Sequence, residues 1–250
     1  MNDDQDTNIN DKAQSGGHNS ISEEKVIDQI KLGLEGNKWS FTNDLVSFLN
    51  SDLEAVNGIL QNNLALLQDI TVINAFWKEL KLFPDISALK KVTFVNCSMN
   101  KLTSLELPNV ALVSCYANHI AHLKLPNAIK VDCSSNHLET LVLPVAEDIK
   151  CFSNNLTVLD FPKAKKVVCY KNKIISLNLP NATTVDCNHN ELISINLPKA
   201  VEVNCNNNHL TSINLPSANF VSCYSNKKLN EKEIEVPENC SIYHDMHKES

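Results

Sequence analysis

Cysteine and histidine are the residues of this chain best able to bind a metal or act as nucleophiles, and it has 9 of the first and 8 of the second. Their spacing argues against both roles. No two cysteines form a C-x-x-C pair and the run is not a lone cysteine, so neither a zinc site nor thiol catalysis finds its pattern. The best metal set is His119, His122 and His137. His119 and His137 share a position one repeat apart, but neither has an evident partner to orient its ring. The plain reading is solvent-facing variation beside a turn. The chain also lacks a glycine-rich phosphate loop, a G-x-S-x-G elbow and an H-E-x-x-H pair. No catalytic residue, metal or cofactor is expected.

The cysteines instead mark a structural period. Eight of them, Cys97, Cys115, Cys133, Cys151, Cys169, Cys187, Cys205 and Cys223, stand 18 residues apart. An asparagine follows three residues after each, from Asn100 to Asn226, and a leucine or isoleucine usually comes two after that. A proline closes most units, from Pro108 to Pro216. A coil that returns each residue to the same environment explains such regularity, so a solenoid is predicted. The alternation Val185-x-Cys187 predicts a short strand with one buried face, and strands one coil apart must run parallel at about 4.8 Å. Eight rungs make a sheet roughly 35–40 Å along its stacking axis. The asparagine sits where the chain leaves the strand, where a buried amide can satisfy turn N–H and C=O groups. The remaining seven residues of a unit contain an internal proline and cannot form a helix, which predicts an extended outer side.

Framed from its alanine, a unit reads Ala182-x-x-Val185-x-Cys187-x-x-Asn190-x-Leu192, which resembles the leucine-rich repeat signature L-x-x-L-x-L-x-x-N-x-L. The resemblance runs from about Asp85 to Tyr243. It implies an α/β solenoid: a leucine-rich repeat rod with a parallel β-sheet on one face, an extended outer side and an N-terminal α-helical cap. The expected divisions are a disordered segment over 1–20, a helical cap over 21–84, the repeat array over 85–243 and a tail over 244–250. Within the cap, Ser20-x-x-Glu23 and Ser51-x-x-Glu54 read as capping boxes. Asp44 to Asn50 and Ile70 to Leu80 read as two further helices. Cysteines on adjacent rungs would hold their Cβ atoms about 4.8 Å apart, beyond the usual disulfide range, so free thiols are expected.

Charge narrows the partners. The net charge is −7 and all 22 basic residues are lysine, which disfavours nucleic acid. No apolar run is long enough to span a membrane, and the first 20 residues lack a secretory signal's apolar core. The expectation is a reduced, cytoplasmic monomer, or one secreted without a cleaved signal peptide into a host cytosol. The lysine-rich, arginine-free chain looks like the leucine-rich repeat effectors that intracellular bacteria send into host cells.

The outward sheet face is what the repeat leaves unexplained. One column reads Phe94, Leu112, Lys130, Asp148, Lys166, Thr184, Glu202, Phe220 and a second runs from Asn96 through Asp132 and Lys150 to Ser222. A third reads Ser98, Tyr116, Ser134, Phe152, Tyr170, Asn188, Asn206, Tyr224. The alternating charges have a ready account in cross-strand pairing. The aromatics do not, because exposed aromatics on a rigid surface mark binding hot spots. Tyr116, Phe152, Tyr170 and Tyr224, with Lys150 and Lys166 beside them, are therefore the expected contact residues for a protein or peptide carrying an acidic segment. The competing expectation is an adaptor in which the helical cap binds and the rod is a spacer.

Overall fold

The structure, a computed structural model, describes residues 21–244. The segment 1–20, expected to lack structure, and the tail beyond His244 lie outside the described residues. Three helices open the described chain, α1 (Glu23–Leu32), α2 (Asn43–Ser51) and α3 (Leu53–Asn62). Between α1 and α2 lies a hairpin of β1 (Leu34–Glu35) and β2 (Lys38–Ser40), followed after α3 by β3 (Val72–Asn74) and β4 (Phe94–Asn96). From β4 onward a sheet strand recurs with the cysteine period, from Leu112–Ser114 to Phe220–Ser222, and Ser241–Tyr243 ends the series. All belong to one 12-stranded sheet, parallel throughout except for the β1–β2 pair at its edge.

The pairing register reproduces the columns read from the sequence. Phe94, Leu112, Lys130, Asp148, Lys166, Thr184, Glu202 and Phe220 are successive neighbours. On the inner side the valines, all eight ladder cysteines and the leucines fill a continuous core. The outer side is extended, with short parallel pairs such as Ser104–Glu106 with His122–Lys124 and Thr140–Val142 with Val158–Asp160. Proline then sits second in a tight turn, closed for example by Ala182 N–H donating to Leu179 C=O at 3.2 Å.

Each asparagine joins two rungs. Asn190 Nδ2 donates to Cys187 C=O in its own rung at 3.0 Å and to Cys169 C=O in the preceding one at 3.1 Å. Its Oδ1 accepts from Ile174 N–H, also in the preceding rung, at 3.1 Å. The residue before each asparagine takes a left-handed conformation, with φ between 52 and 57° from Met99 to Ser225, although none is glycine. That geometry disfavours an ordinary side chain, and the asparagine bonds on either side hold it.

The cap differs from expectation in three places. The strand β3 occupies part of the segment 70–80 that read as a helix, because Ile73 packs inward as the sheet's next rung. Trp77 and Glu79 then turn through φ 51 and 60°. Ser51 is not an N-cap. It ends α2, where its Oγ donates to Ser47 C=O at 2.7 Å, and Asp52 caps α3 by accepting from Ala55 N–H at 3.0 Å. Ser22, not Ser20, precedes α1, and its side chain makes no capping bond. The helices are tied to the irregular rung behind them: Asn50 Oδ1 accepts from Lys81 N–H, and Asn57 Oδ1 from Asp85 N–H. Trp39 and Phe41 fill the space beneath, with ring centroids 4.7 Å apart.

Candidate interaction surface

The third outward column lies one residue beyond the cysteines, just past each sheet strand, so its side chains leave the face opposite the core. Two of its aromatics meet directly. Phe152 and Tyr170 stack with centroids 4.5 Å apart and planes 9° from parallel, which leaves each half-buried. Lys150 and Lys166, in the strands alongside, are exposed. Tyr116 lies two rungs from Phe152 and pairs instead with Phe76, at 6.5 Å across the small Ser98. Tyr224 is 40% exposed but stands three rungs from Tyr170, beyond Asn188 and Asn206, so it is no part of the cluster.

The charges keep the expected register without closing it. Lys130, Asp148 and Lys166 are neighbours, as are Asp132 and Lys150. Among the described residues none of these forms an ion pair. The pairs that do form lie off this face, such as Lys165 with Glu147 at 2.8 Å and Lys124 with Glu106 at 2.6 Å. A shallow depression on the face is lined by Phe94, Leu112, Lys130, Asp132, Asp148 and Lys150. A groove of about 500 Å³ between the cap and the rod is lined by Leu53, Asn57, Leu82, Phe83 and Glu106 among others.

Sequence reasoning missed Phe76 and Trp77. Trp77 is 69% exposed at positive φ, beside Met99 at 41%. The signal was present, since Asn74-Ala75-Phe76 occupies the rung positions of Asn96-Cys97-Ser98, but a spacing of 22 residues hid it. Also missed were exposed apolar residues on the outer side, Val142, Val158, Ile175 and Ile193, each about half exposed or more.

The chemistry-bearing residues sit in settings of little reactivity. Burial pushes the Cys97 thiol up to about 12, and the thiols from Cys115 to Cys205 likewise lie well above the ordinary range. They stay protonated in the folded rod and are poor nucleophiles. His119 and His137 stack at 5.5 Å, while His122 lies on an outer strand. Among the described residues no three metal-ligating side chains converge, and no helix is long and apolar enough to cross a membrane.

A cysteine ladder recurs in a solved protein. The functional domain of InlJ from Listeria monocytogenes, which includes a cysteine ladder, is similar with a TM-score of 0.52 at 19% identity, over 80% of this chain and 56% of that one. The fold is that of the leucine-rich repeat proteins. The leucine-rich repeat domain of LRIM1 is similar with a TM-score of 0.62 at 14% identity, over 84% of this chain and 75% of that one. YopM from Yersinia enterocolitica is similar with a TM-score of 0.51 at 19% identity, over 71% of this chain and 51% of that one. The leucine-rich repeat chain thus spans about half the length of the InlJ and YopM structures. No protein-family model matches the sequence, and no curated protein matches it.

Proposed function

We propose that this leucine-rich repeat rod is a non-enzymatic interaction module that holds a protein or peptide on its open sheet face. The contact is centred on Tyr116, Phe152 and Tyr170, with Lys150 and Lys166 beside them and Tyr224 as an outlying contact. The carrying observation is the stacked Phe152–Tyr170 pair on a face where the repeat itself requires no aromatic. A rigid sheet presents these rings with little entropy left to lose on binding. Exposed Lys150 and Lys166 offer an acidic partner segment its counter-charges. The similar LRIM1 has been solved in a complex with APL1C. A bacterial effector role is supported by the likeness to proteins of Listeria and Yersinia and by the lysine-only basic composition.

Affinity capture with the wild-type chain beside a Phe152→Ala/Tyr170→Ala variant tests this reading. Loss of the captured partner with the fold intact supports it, and unchanged capture refutes it. The groove between cap and rod favours a second reading, in which the helical cap binds and the rod is a spacer. Because β2 and β3 are strands of the common sheet, its test uses the full chain. Leu82→Asp at the groove's rim would then abolish capture while the double aromatic variant would not.

A further inference from the structure

The 12-stranded sheet has two ends, and they are finished differently. At one end it stops in the β1–β2 hairpin, whose edge strand is two residues long and follows directly on α1. At the other it stops at Ser241–Tyr243, with all three residues exposed. Sheet edges are commonly blunted by lysine or proline, and this strand has neither.

The hydrogen bonds of that last strand leave one residue over. Ser241 N–H donates to Asn219 C=O at 2.9 Å, and Tyr243 C=O accepts from Cys223 N–H at 2.8 Å. Successive residues of a strand aim their backbone groups at opposite neighbours, so Ser241 and Tyr243 face the rung before and Ile242 faces away from it. The N–H and C=O of Ile242 are the groups that a next rung would engage. Its side chain continues the inner column from Val221, with which it is in register. Val221 is 0% exposed, whereas Ile242 is 37% exposed, because among the described residues no rung follows it. Ile234, Val236 and Cys240 pack on the same end of the core and are likewise only partly buried.

A copy joining head to tail would have to offer its hairpin end, where the edge strand is two residues long and tied to the helices. A second copy of the same edge fits better. In an antiparallel pair, alternate residues that lie directly opposite exchange both of their N–H···O bonds. A two-fold axis sets Ile242 opposite Ile242 of the second copy, which makes that exchange and brings the two half-covered side chains together on the inner side. Charge permits the approach. Residues 227–244 hold three lysines and four glutamates, a balance of −1 in a chain of −7.

We infer that two copies of this chain pair antiparallel through Ser241–Tyr243, centred on Ile242, and join their sheets end to end. A symmetric dimer then takes the place of the monomer expected from the sequence. Both outward faces lie on the same side of the joined sheet, which doubles whatever site that face carries. The pairing itself does not depend on the sheet-face reading.

Sedimentation velocity of the full chain over a concentration series reads the association. A concentration-dependent dimer is expected. Ile242→Lys, which sets two like charges at the axis, should weaken it by at least about thirtyfold. Phe152→Ala/Tyr170→Ala should leave it unchanged. Dipolar spin–spin spectroscopy then reads the geometry, with a nitroxide at Glu202→Cys in a Cys240→Ser chain, where the ladder cysteines are buried and stay unlabelled. Glu202 lies two strands from the edge, so five strand spacings, roughly 24 Å, separate the two labels. A chain that stays monomeric at millimolar concentration, a dimer that Ile242→Lys leaves intact, or a label distance centred outside about 20–30 Å would each overturn the inference. The label distance is read with Ile242 in place, so it decides even where Ile242→Lys loosens the last rung. Partner capture is scored separately, and a failed dimer leaves the sheet-face reading standing.

Discussion

Cys151 and Phe152 are adjacent in the chain and lie on opposite sides of the same rung. The inner column repeats one residue eight times, and every one of those cysteines is 0 to 2% exposed. The outer column, one residue on, reads serine, tyrosine, serine, phenylalanine, tyrosine, asparagine, asparagine, tyrosine. The backbone is the same on both sides, so the difference is set by what each column touches. Inside, every rung meets an identical rung, and one small apolar side chain fits throughout. Outside, no repeating neighbour imposes one residue, and small serines alternate with half-exposed rings. Uniformity therefore marks packing against identical rungs, and departure from it marks a column free of that constraint.

The inner column predicts the largest effect, a collapse at alkaline pH. Burial raises the folded-state values of the thiols from Cys97 to Cys205, to about 12 for Cys97. A raised value favours the protonated form, so its stabilisation is full below the unfolded thiol's value of about 8.5 and is lost as pH climbs toward the folded one. Above about pH 9.5 each buried thiol removes about 1.4 kcal/mol per pH unit. Seven acting together would remove on the order of 10 kcal/mol per unit, enough to unfold an ordinary domain. Circular dichroism should fall cooperatively in this window, with thiolate absorbance rising in the same step. Thiolate appearing before the fold is lost would mean that water reaches the inner column.

The asparagine turns join the two columns, and the irregular first rung sharpens what they do. Each regular asparagine serves the turn of the rung before it. Asn100 serves the rung with no asparagine of its own, accepting from Lys78 N–H at 3.0 Å and Leu80 N–H at 2.9 Å while donating to Ala75, Cys97 and Ser98 carbonyls. Asn100→Ala should destabilise by about 3 kcal/mol and Asn190→Ala by about 1–3 kcal/mol, since buried backbone groups lose their partners. Glu191→Ala, one residue on and exposed, should change stability by less than about 0.5 kcal/mol. Denaturant midpoints of the three variants check the order. Equal effects would mean that the turn is not held by the amide.

The same contrast explains what was legible in the sequence. Eight matching positions from Cys97 to Cys223 disclosed the solenoid, the inward cysteines, the turn asparagines and the strand register, because a periodic environment writes itself into the chain. The first rung stayed hidden. Its 22 residues put alanine where the others have cysteine and Lys78 where they have asparagine. Ile70 and Ile73 then matched a helical spacing as well as a strand. The columns named Tyr116, Phe152 and Tyr170, but not which rings would meet. That depends on the serines between them: Ser98 lets Phe76 and Tyr116 converge, whereas Phe152 and Tyr170 have no small residue between and stack.

The outer column predicts effects on binding with little on folding. Phe152→Ala or Tyr170→Ala should weaken partner binding by about 1–2 kcal/mol, because truncation removes an aromatic anchor. Stability should fall by less than about 1 kcal/mol, since each ring loses only a half-exposed stacking partner. Lys150→Glu should mainly slow association and change its salt dependence. Paired measurements of affinity and unfolding separate the two columns. A Phe152→Ala variant that unfolds as readily as a core variant would show that the outer column packs rather than binds.

The smallest effect lies one residue beyond the outer column, at the left-handed turn. Ala117 holds φ 53° with an ordinary Cβ, which costs about 1–2 kcal/mol relative to its preferred regions. Glycine there removes that strain but gives the unfolded chain more freedom, worth about 0.4–1 kcal/mol in the opposite direction. Ala117→Gly should therefore stabilise the rod by roughly 0.5 kcal/mol net. Asn207 holds the same turn at φ 54°, and asparagine tolerates that region, so Asn207→Gly should gain nothing or lose slightly. The difference between the two, read as a shift in denaturant midpoint, isolates backbone strain from side-chain contact. If both glycines destabilise alike, the residue before each asparagine is held by packing against its neighbours, and the packed column reaches one residue further along each rung.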